Sequence, residues 1–219
     1  MSDDALNDYL AAAKAGDADA MYQIARIAMK SGDAARAEQW AHQAAQSGST
    51  KGMRVLGHMH EQRGEGAAAE HWYRLASDGG DAWSMSAMAR RCRGRDDVQA
   101  VHWYRRAATA GDRAAALELA LLLAERGELA EAEHWAALAA AGRDARALHC
   151  LADILQRRGK AVEAEQHYRR AAELGHFPAA GVMFTIATSH GNKAEALRWR
   201  ARMAETEAGW VNRIAGGPE

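Results

Sequence analysis

The segment AVHWYRRAATAGD, at residues 100–112, decides the fold because close copies of it recur along the chain. Its central aromatic position returns at a spacing of 31 or 32 residues, where the chain places Trp40, Trp72, Trp103, Trp135, His167 and Trp199. The neighbouring residues repeat with it, as AEQWAHQAA from residue 37, AEHWYRLA from residue 69 and AEQHYRRAA from residue 164. Six copies at one period predict an array of similar supersecondary units.

Glycines with the same spacing divide each copy into two segments, each of roughly 13 to 15 residues, with apolar positions three and four apart. One set is Gly16, Gly48, Gly80, Gly111, Gly142 and Gly175, and the other is Gly32, Gly64, Gly127, Gly159 and Gly191. A glycine just past a helix end can adopt a left-handed conformation, and an aspartate directly after it can cap the next helix. Each repeat is therefore predicted to be two short antiparallel helices, a first helix A and a tryptophan-bearing helix B.

These observations predict an all-α fold, a right-handed α-solenoid or superhelix of about six antiparallel helix-hairpin repeats. We expect a single solenoid domain over residues 1–206, in which the tryptophan of each helix B fills the space between neighbouring hairpins. Residues 207–219 are expected to form a capping segment, with Trp210 and Ile214 on one helix face, and a disordered GGPE tail. The alternative for this segment is a short partner-binding tail.

The composition and charge of the chain argue against several functional classes of protein. With 219 residues, 48% of them hydrophobic, and a formal net charge of −1, the chain can bury a sizeable core and does not match a nucleic-acid coat. The N-terminal segment MSDDALNDYL lacks the features of a signal peptide, and no apolar run reaches the ~20 residues of a membrane span. We therefore expect a cytoplasmic protein without membrane or nucleic-acid partners.

No residue pattern indicates catalysis. Cys92 and Cys150 lack metal-ligand spacing and are expected to be small buried residues. His71, His102 and His134 recur once per repeat, too far apart to share one metal ion. Nucleophile–base arrangements and phosphate-binding loops are also missing from the sequence. The expectation is a protein that is not an enzyme and has no cofactor and no metal.

Strings such as WYRRAA at residues 103–108 and YRRAA at residues 168–172, each followed by a glycine turn, resemble the Sel-one-like repeat (SLR) family. The chain is also similar to tetratricopeptide repeats (TPR) through the pairs Leu56–Gly57, Leu119–Ala120 and Leu151–Ala152. The resemblance covers residues 3–206. It implies a curved solenoid that serves as a protein-interaction scaffold or adaptor, with helix A lining the concave groove, and it implies no particular partner.

On that resemblance, the partner-facing positions of helix A are Tyr22, Arg26, Lys30, Arg54, His58, Trp83, Arg90, Arg93, Leu117, Leu121, His149 and Arg157. The cations and aromatic residues of the first three repeats favour a groove for an acidic or C-terminal-carboxylate segment of a protein or peptide. The alternative is that these are ordinary solvated surface charges. Two further functional hypotheses are a chaperone or escort for a specific client peptide and a non-catalytic subunit of an enzyme complex.

The oligomeric state is left open between monomer and homodimer. An exposed apolar stripe formed by Leu117 and Leu121 is one candidate surface for self-association.

Overall fold

A computed structural model describes residues 3–214 of the chain, and the side chains of residues 6–205. This part contains thirteen α-helices and no β-strand. The leading helix is α1 (Asp3–Lys14). The A helices are α2 (Ala18–Lys30), α4 (Thr50–Gln62), α6 (Ala82–Cys92), α8 (Arg113–Glu125), α10 (Ala145–Arg157) and α12 (Phe177–Ser189). The B helices are α3 (Ala34–Gln46), α5 (Gly66–Asp78), α7 (Asp97–Thr109), α9 (Leu129–Ala140), α11 (Ala161–Glu173) and α13 (Lys193–Ile214).

The helices form two compact units. In unit 1 (Met1–Asp112) each helix from α1 to α6 packs against the helix that follows it, and α2 also contacts α4. In unit 2 (Arg113–Glu219) the same holds for α8 to α12, with an added contact between α8 and α10. The predicted all-α helical-repeat solenoid is confirmed, while its handedness and curvature stay predictions.

The predicted C-terminal cap lies at the limit of the described residues. Trp210 and Ile214 belong to the backbone of α13, but their side chains lie outside the described residues. The GGPE tail, residues 216–219, also lies outside them. The boundary at residue 206 and the capping role therefore stay predictions.

The glycine turns form as the sequence predicts. At the end of α5, the Gly80 amide donates to the Ser77 carbonyl at 3.1 Å and the Asp81 amide to the Ala76 carbonyl at 3.0 Å. Gly80 has a φ of 92°, which favours glycine. The Asp81 carboxylate then accepts from the Ser84 amide at 2.9 Å, and so the turn both ends one helix and caps the next.

One turn departs from the glycine pattern. Between α9 and α10 the left-handed residue is Arg143, with a φ of 59°, and Gly142 is not left-handed. The sequence here is Gly-Arg-Asp, with Asp144 as the cap, so the residue directly before the cap is an arginine. Between α6 and α7 the left-handed residue is a glycine, Gly94, but Arg95 separates it from the cap.

Arg143 lies eight residues after Trp135, and in two earlier repeats the residue at this spacing is Gly80 or Gly111. Arginine therefore occupies the left-handed position, where its side chain makes that conformation unfavourable.

The tryptophans do not form the expected locked wedge. Trp40, Trp72, Trp103 and Trp135 are only half-buried, and Trp199 alone of the set is buried, at 7% exposure. The residue after each half-buried tryptophan, and after His167, is buried instead, as Ala41, Tyr73, Tyr104, Ala136 and Tyr168. The last copy is reversed, with Trp199 buried and Arg200 exposed. One residue is a rotation of about 100° on a helix, and it is therefore the tyrosine, not the tryptophan, that points at helix A.

Tyr73 shows how this tyrosine is accommodated. Its ring occupies the space beside Gly57, where an added Cβ would lie 2.5 Å from the Tyr73 Cδ1. Its hydroxyl donates to the Glu61 carboxylate on α4 at 2.9 Å. Tyr168 in unit 2 donates in the same way to Asp153 on α10 at 2.6 Å. In the first five copies, helix B thus contributes a buried tyrosine or alanine with a half-buried tryptophan or histidine beside it.

Candidate functional site

Five of the eight predicted partner-facing residues of unit 1 lie together on one surface. On α2, α4 and α6 their aromatic rings and guanidinium groups contact one another. We call this cluster the Trp83 surface, and it consists of Tyr22, Arg54, His58, Trp83 and Arg90.

Trp83 is the exposed centre of this surface. It is 39% exposed, and two guanidinium groups lie within cation–π distance of its ring. The guanidinium carbon of Arg90 is 5.3 Å from the ring centroid and that of Arg54 is 5.9 Å away. The ring also packs against Tyr73 at 5.7 Å and meets the His58 ring edge-on at 6.2 Å. A large aromatic side chain is thus held in a fixed orientation while much of it faces solvent.

Arg54 already pairs with a carboxylate of the chain itself, and its contact with a partner stays a prediction. Its Nη1 donates to the Asp81 carboxylate at 2.9 Å, and the Asp81 side chain is only 9% exposed. Its Nη2 donates to the Tyr22 hydroxyl at 3.4 Å, and its guanidinium carbon lies 6.0 Å from the Tyr22 ring centroid. Arg54 therefore connects Tyr22, Trp83 and the cap of α6.

The other predicted residues of unit 1 differ in availability. Arg90 is exposed and lies over Trp83, and no carboxylate among the described residues pairs with it. Arg26 and Lys30 are exposed on α2. Arg93 is half-buried and follows the last residue of α6. The Trp83 surface thus has an exposed cation at Arg90 and further exposed cations on α2.

His58 contributes an unusual polar atom. Its Nε2 lies 3.1 Å from the Gln62 amide nitrogen, whereas its Nδ1 is buried and has no hydrogen-bond partner among the described residues. Such an atom costs stability unless it is satisfied. The ring is nevertheless confined by Trp83, which keeps it within the cluster.

The predicted residues of unit 2 form a different arrangement. Leu117 is buried at 4% exposure and Leu121 is half-buried, so the expected exposed stripe of two leucines is wrong. Both line a cleft of about 130 Å³ whose other walls are Arg146, His149, Cys150, Asp153 and His176. Arg157 is exposed at the end of α10 and is not part of this cleft.

Two histidines face each other in this cleft. The ring centroids of His149 and His176 are 4.7 Å apart. The Nδ1 of His149 lies 3.4 Å from the Asp153 carboxylate, and the Nδ1 of His176 accepts from the Ala179 amide at 3.4 Å. Burial lowers the pKa of His176, and nearby His149 and Arg146 lower it further.

A regular link between repeats joins these residues and was missed in the sequence. A side chain in the first half of an A helix contacts a residue 26 or 27 positions later, in the turn that follows the intervening B helix. Arg54 donates to Asp81, Ser86 donates to Asp112 at 2.7 Å, and His149 meets His176. The constant offset of about 27 residues is the sequence signal that could have revealed these pairs.

A second link joins helix B to the end of the following helix A. Glu38 accepts from both Nη atoms of Arg63, and Glu133 accepts from Arg158 and, at 2.8 Å, from Lys160. These glutamates are thus half-buried members of ion pairs between repeats. The hydrogen bond from Arg63 lowers the pKa of Glu38.

The described residues contain neither a cluster of metal-binding side chains nor a cysteine with a lowered pKa. No three His, Cys, Asp or Glu side chains there are arranged to hold a metal ion. Burial raises the pKa of Cys150 to about 12, and burial also raises the pKa of the half-buried Cys92, so the thiolate form is disfavoured at both. Between residues 3 and 214, no helix combines the length and the apolarity that a bilayer crossing requires.

Comparison with known proteins agrees with the repeat architecture. Residues 145–175, the hairpin of α10 and α11, match the tetratricopeptide repeat family. No curated protein sequence matches the chain.

Solved structures show the same fold over most of the chain. The uropathogenic Escherichia coli protective antigen c5321, which displays an SLR fold, is 22% identical with a TM-score of 0.80. That match covers 98% of this chain and 53% of c5321, so the chain spans about half of that antigen's length. A Sel1 repeat protein from Oxalobacter formigenes is 24% identical with a TM-score of 0.65, over 87% of this chain and 89% of that one. Pseudomonas aeruginosa pilF is 16% identical with a TM-score of 0.62, over 92% and 93% of the two chains.

Proposed function

We propose that this chain, a Sel1-like and tetratricopeptide-like repeat protein, is a non-catalytic scaffold that binds an acidic segment of a partner protein on the Trp83 surface. Helical-repeat proteins of this type generally mediate protein–protein interaction, which is a fold-level argument and names no partner. The choice of surface and of partner chemistry rests on the side chains of α2, α4 and α6.

The observation that carries the proposal is the exposed Trp83 ring with the Arg90 guanidinium 5.3 Å from its centroid. Tryptophan and arginine are the residue types that dominate binding energy at protein interfaces. An exposed guanidinium offers two parallel donors to a carboxylate, and the aromatic ring beneath it supplies apolar contact area. The exposed cations Arg26 and Lys30 add positive charge on the neighbouring helix.

The residues of the Trp83 surface have different proposed roles. Trp83 and Arg90 contact the partner directly. Arg54 is a positioning residue, because its charge is already paired with Asp81 and its guanidinium lies close to both aromatic rings. Its removal would also free the Asp81 carboxylate beside the partner's acidic groups, and so a variant at Arg54 tests the scaffold as well as the contact.

The direct test uses Arg90→Glu and a matched control. Arg74 is a suitable control because it is exposed on helix B and pairs with Glu70 in its own helix. Quantitative affinity capture from the native host, with wild type, Arg90→Glu and Arg74→Glu as baits, identifies partners that depend on Arg90. We expect one or a few proteins to be retained by wild type and Arg74→Glu and lost by Arg90→Glu.

The captured partner then allows a sharper measurement. Titration of its acidic segment by calorimetry should show affinity at least about tenfold weaker for Arg90→Glu than for Arg74→Glu, since reversal leaves like charges in contact. Equal affinities of the two variants would overturn the assignment of this surface. Tighter binding of the unfolded than of the folded partner would identify an escort for a client in place of an adaptor.

A further inference from the structure

The caps of the A helices differ in one repeat. In five A helices the side chain of the N-cap residue accepts a hydrogen bond from a backbone amide of the first turn. In four of them this residue is an aspartate or a serine, namely Asp17, Ser49, Asp81 and Asp144. In α12 it is His176. A carboxylate or hydroxyl can accept a hydrogen bond at any pH near neutrality. An imidazole accepts through Nδ1 only while that atom carries no proton. The cap of α12 is therefore the one among these five that mild acid can abolish.

The side-chain contact between the start of α12 and the preceding repeat also differs from the contacts in earlier repeats. Arg54 and Ser86 each donate to an aspartate at the start of the next A helix. In the fifth repeat the corresponding contact is between His149 and His176, with ring centroids 4.7 Å apart. A donor–carboxylate pair in the earlier repeats is thus replaced by two groups that can both become cations.

The surroundings offer little to neutralise a second cation. On α10, Asp153 accepts from the Tyr168 hydroxyl of α11 and lies near His149, and Arg146 adds a positive charge 4.0 Å from Glu118 of α8. Asp144 is engaged as the cap of α10.

No carboxylate from the described part of the last hairpin, up to residue 205, is among the charged groups that act on His176. Helix α12 contains no charged residue, and at the start of α13 Glu195 is paired with Arg169 of α11. Asp153 can therefore balance one imidazolium of the pair, and the second faces a like charge.

We propose that His149 and His176 form a pH-sensitive latch, which holds the hairpin of α12 and α13 on the preceding repeat at neutral pH and loosens it in mild acid. Protonation removes the acceptor that caps α12 and places positive charge at its N-terminus, where the helix dipole is unfavourable to cations. When both histidines are protonated, the imidazolium rings of His149 and His176 also face each other as like charges. Release of α12 relieves all three effects.

The sign of the pH dependence follows from the folded geometry. The pKa of His176 is lower in the docked hairpin than the ordinary histidine value near 6.5. The released hairpin consequently binds protons more readily, so the stability of docking is fully present above about pH 6.5 and declines as the pH falls through the window below it.

Hydrogen exchange of the full-length chain tests the latch. Between pH 7.5 and pH 5.0, after correction for intrinsic exchange rates, we expect protection of residues 177–189 to fall by about fivefold, the loss typical of one helix cap. Protection of α2 and α3 should change much less. An equal loss in α2 and α3, or no loss in α12, overturns the proposal.

Three variants separate the latch from general acid sensitivity. His176→Asn keeps a capping side chain without a titratable group, and should abolish the pH response of α12. His176→Asp places a carboxylate opposite His149 and should invert it, with better protection at pH 5.0 than at pH 7.5. The control His190→Asn removes an exposed histidine at the other end of α12 and should respond as wild type. A wild-type response in His176→Asn would also overturn the proposal.

Discussion

The two units use the same backbone plan with different side chains on their A helices. At one shared position unit 1 has Tyr22, Arg54 and Ser86, whereas unit 2 has Leu117, His149 and Gly181. At a position one turn later, unit 1 has Arg26, His58 and Arg90, and unit 2 has Leu121, Asp153 and Thr185. The first unit presents aromatic rings with cations, and the second encloses leucines and paired histidines in a small cleft.

The difference shows which positions the repeat constrains. Tyr73 of unit 1 and Tyr168 of unit 2 are both buried and both donate to a carboxylate on their own hairpin's helix A. The core positions are therefore shared, while the outer positions of helix A are free to acquire separate functions. The following predictions test this division, beginning with the core.

Tyr73→Ala and Tyr168→Ala should be the most destabilising changes, and by similar amounts. Each removes a buried aromatic ring and leaves a cavity, which costs about 3–5 kcal/mol of unfolding free energy. Urea unfolding monitored by circular dichroism measures the effect. The half-buried Trp72 is the control, and Trp72→Ala should cost clearly less. A larger loss of unfolding free energy for Trp72→Ala than for Tyr73→Ala would show that the tryptophan is the main packing residue.

Gly57→Ala should be destabilising only because of its neighbour. The new Cβ would lie 2.5 Å from the Tyr73 ring, so the ring must move, at a cost of about 1–3 kcal/mol. In Tyr73→Ala the same substitution should cost little, and urea unfolding of the double variant measures this coupling. Equal costs in both backgrounds would mean that the ring is not confined by Gly57.

Glu133→Gln should weaken unit 2 at neutral pH and have little effect in acid. Burial raises the pKa of Glu133, but hydrogen bonds from Lys160 and Arg158 lower it more. Because the pKa is lower in the folded than in the unfolded chain, the ionised carboxylate stabilises the fold at pH values above the ordinary glutamate pKa of about 4.3. This contribution is lost as the pH falls below that value.

The expected loss for Glu133→Gln at pH 7 is about 1 kcal/mol or less, because the pair is partly solvated. Unfolding at pH 7 and at pH 3 measures it. Glu38→Gln should behave in the same direction in unit 1, and Glu70→Gln, whose partner Arg74 is on the same exposed helix face, is the control. A loss of equal size at both pH values would contradict the ion-pair origin.

Arg143→Gly should give the smallest effect, a stabilisation of about 0.5 kcal/mol. The left-handed conformation costs an ordinary residue roughly 1–2 kcal/mol, and glycine's greater freedom in the unfolded chain offsets part of the gain. Thermal unfolding checks the sign. Arg157→Gly, at an exposed helical position, should instead destabilise. Destabilisation by Arg143→Gly would show that the arginine side chain stabilises the turn.

The sequence was sufficient for the helix plan because the relevant signals are local. Glycine turns and aspartate caps act within a few residues, so the hairpins and most turns were predictable. The spacing could not show that Tyr73 is buried and Trp72 only half-buried, since one residue of helix rotation separates them. Nor could it show that Arg54 is paired, because Asp81 is 27 residues away and the contact depends on how successive hairpins stack.

The links of 26 or 27 residues have a consequence for building new proteins from these hairpins. A module excised from one glycine turn to the next would separate Arg54 from Asp81 and carry only half of each junction. A module spanning residues 50–81 contains both partners. Modules should therefore be joined just after a capping residue, so that each module contains both side chains of the contact to the hairpin that follows.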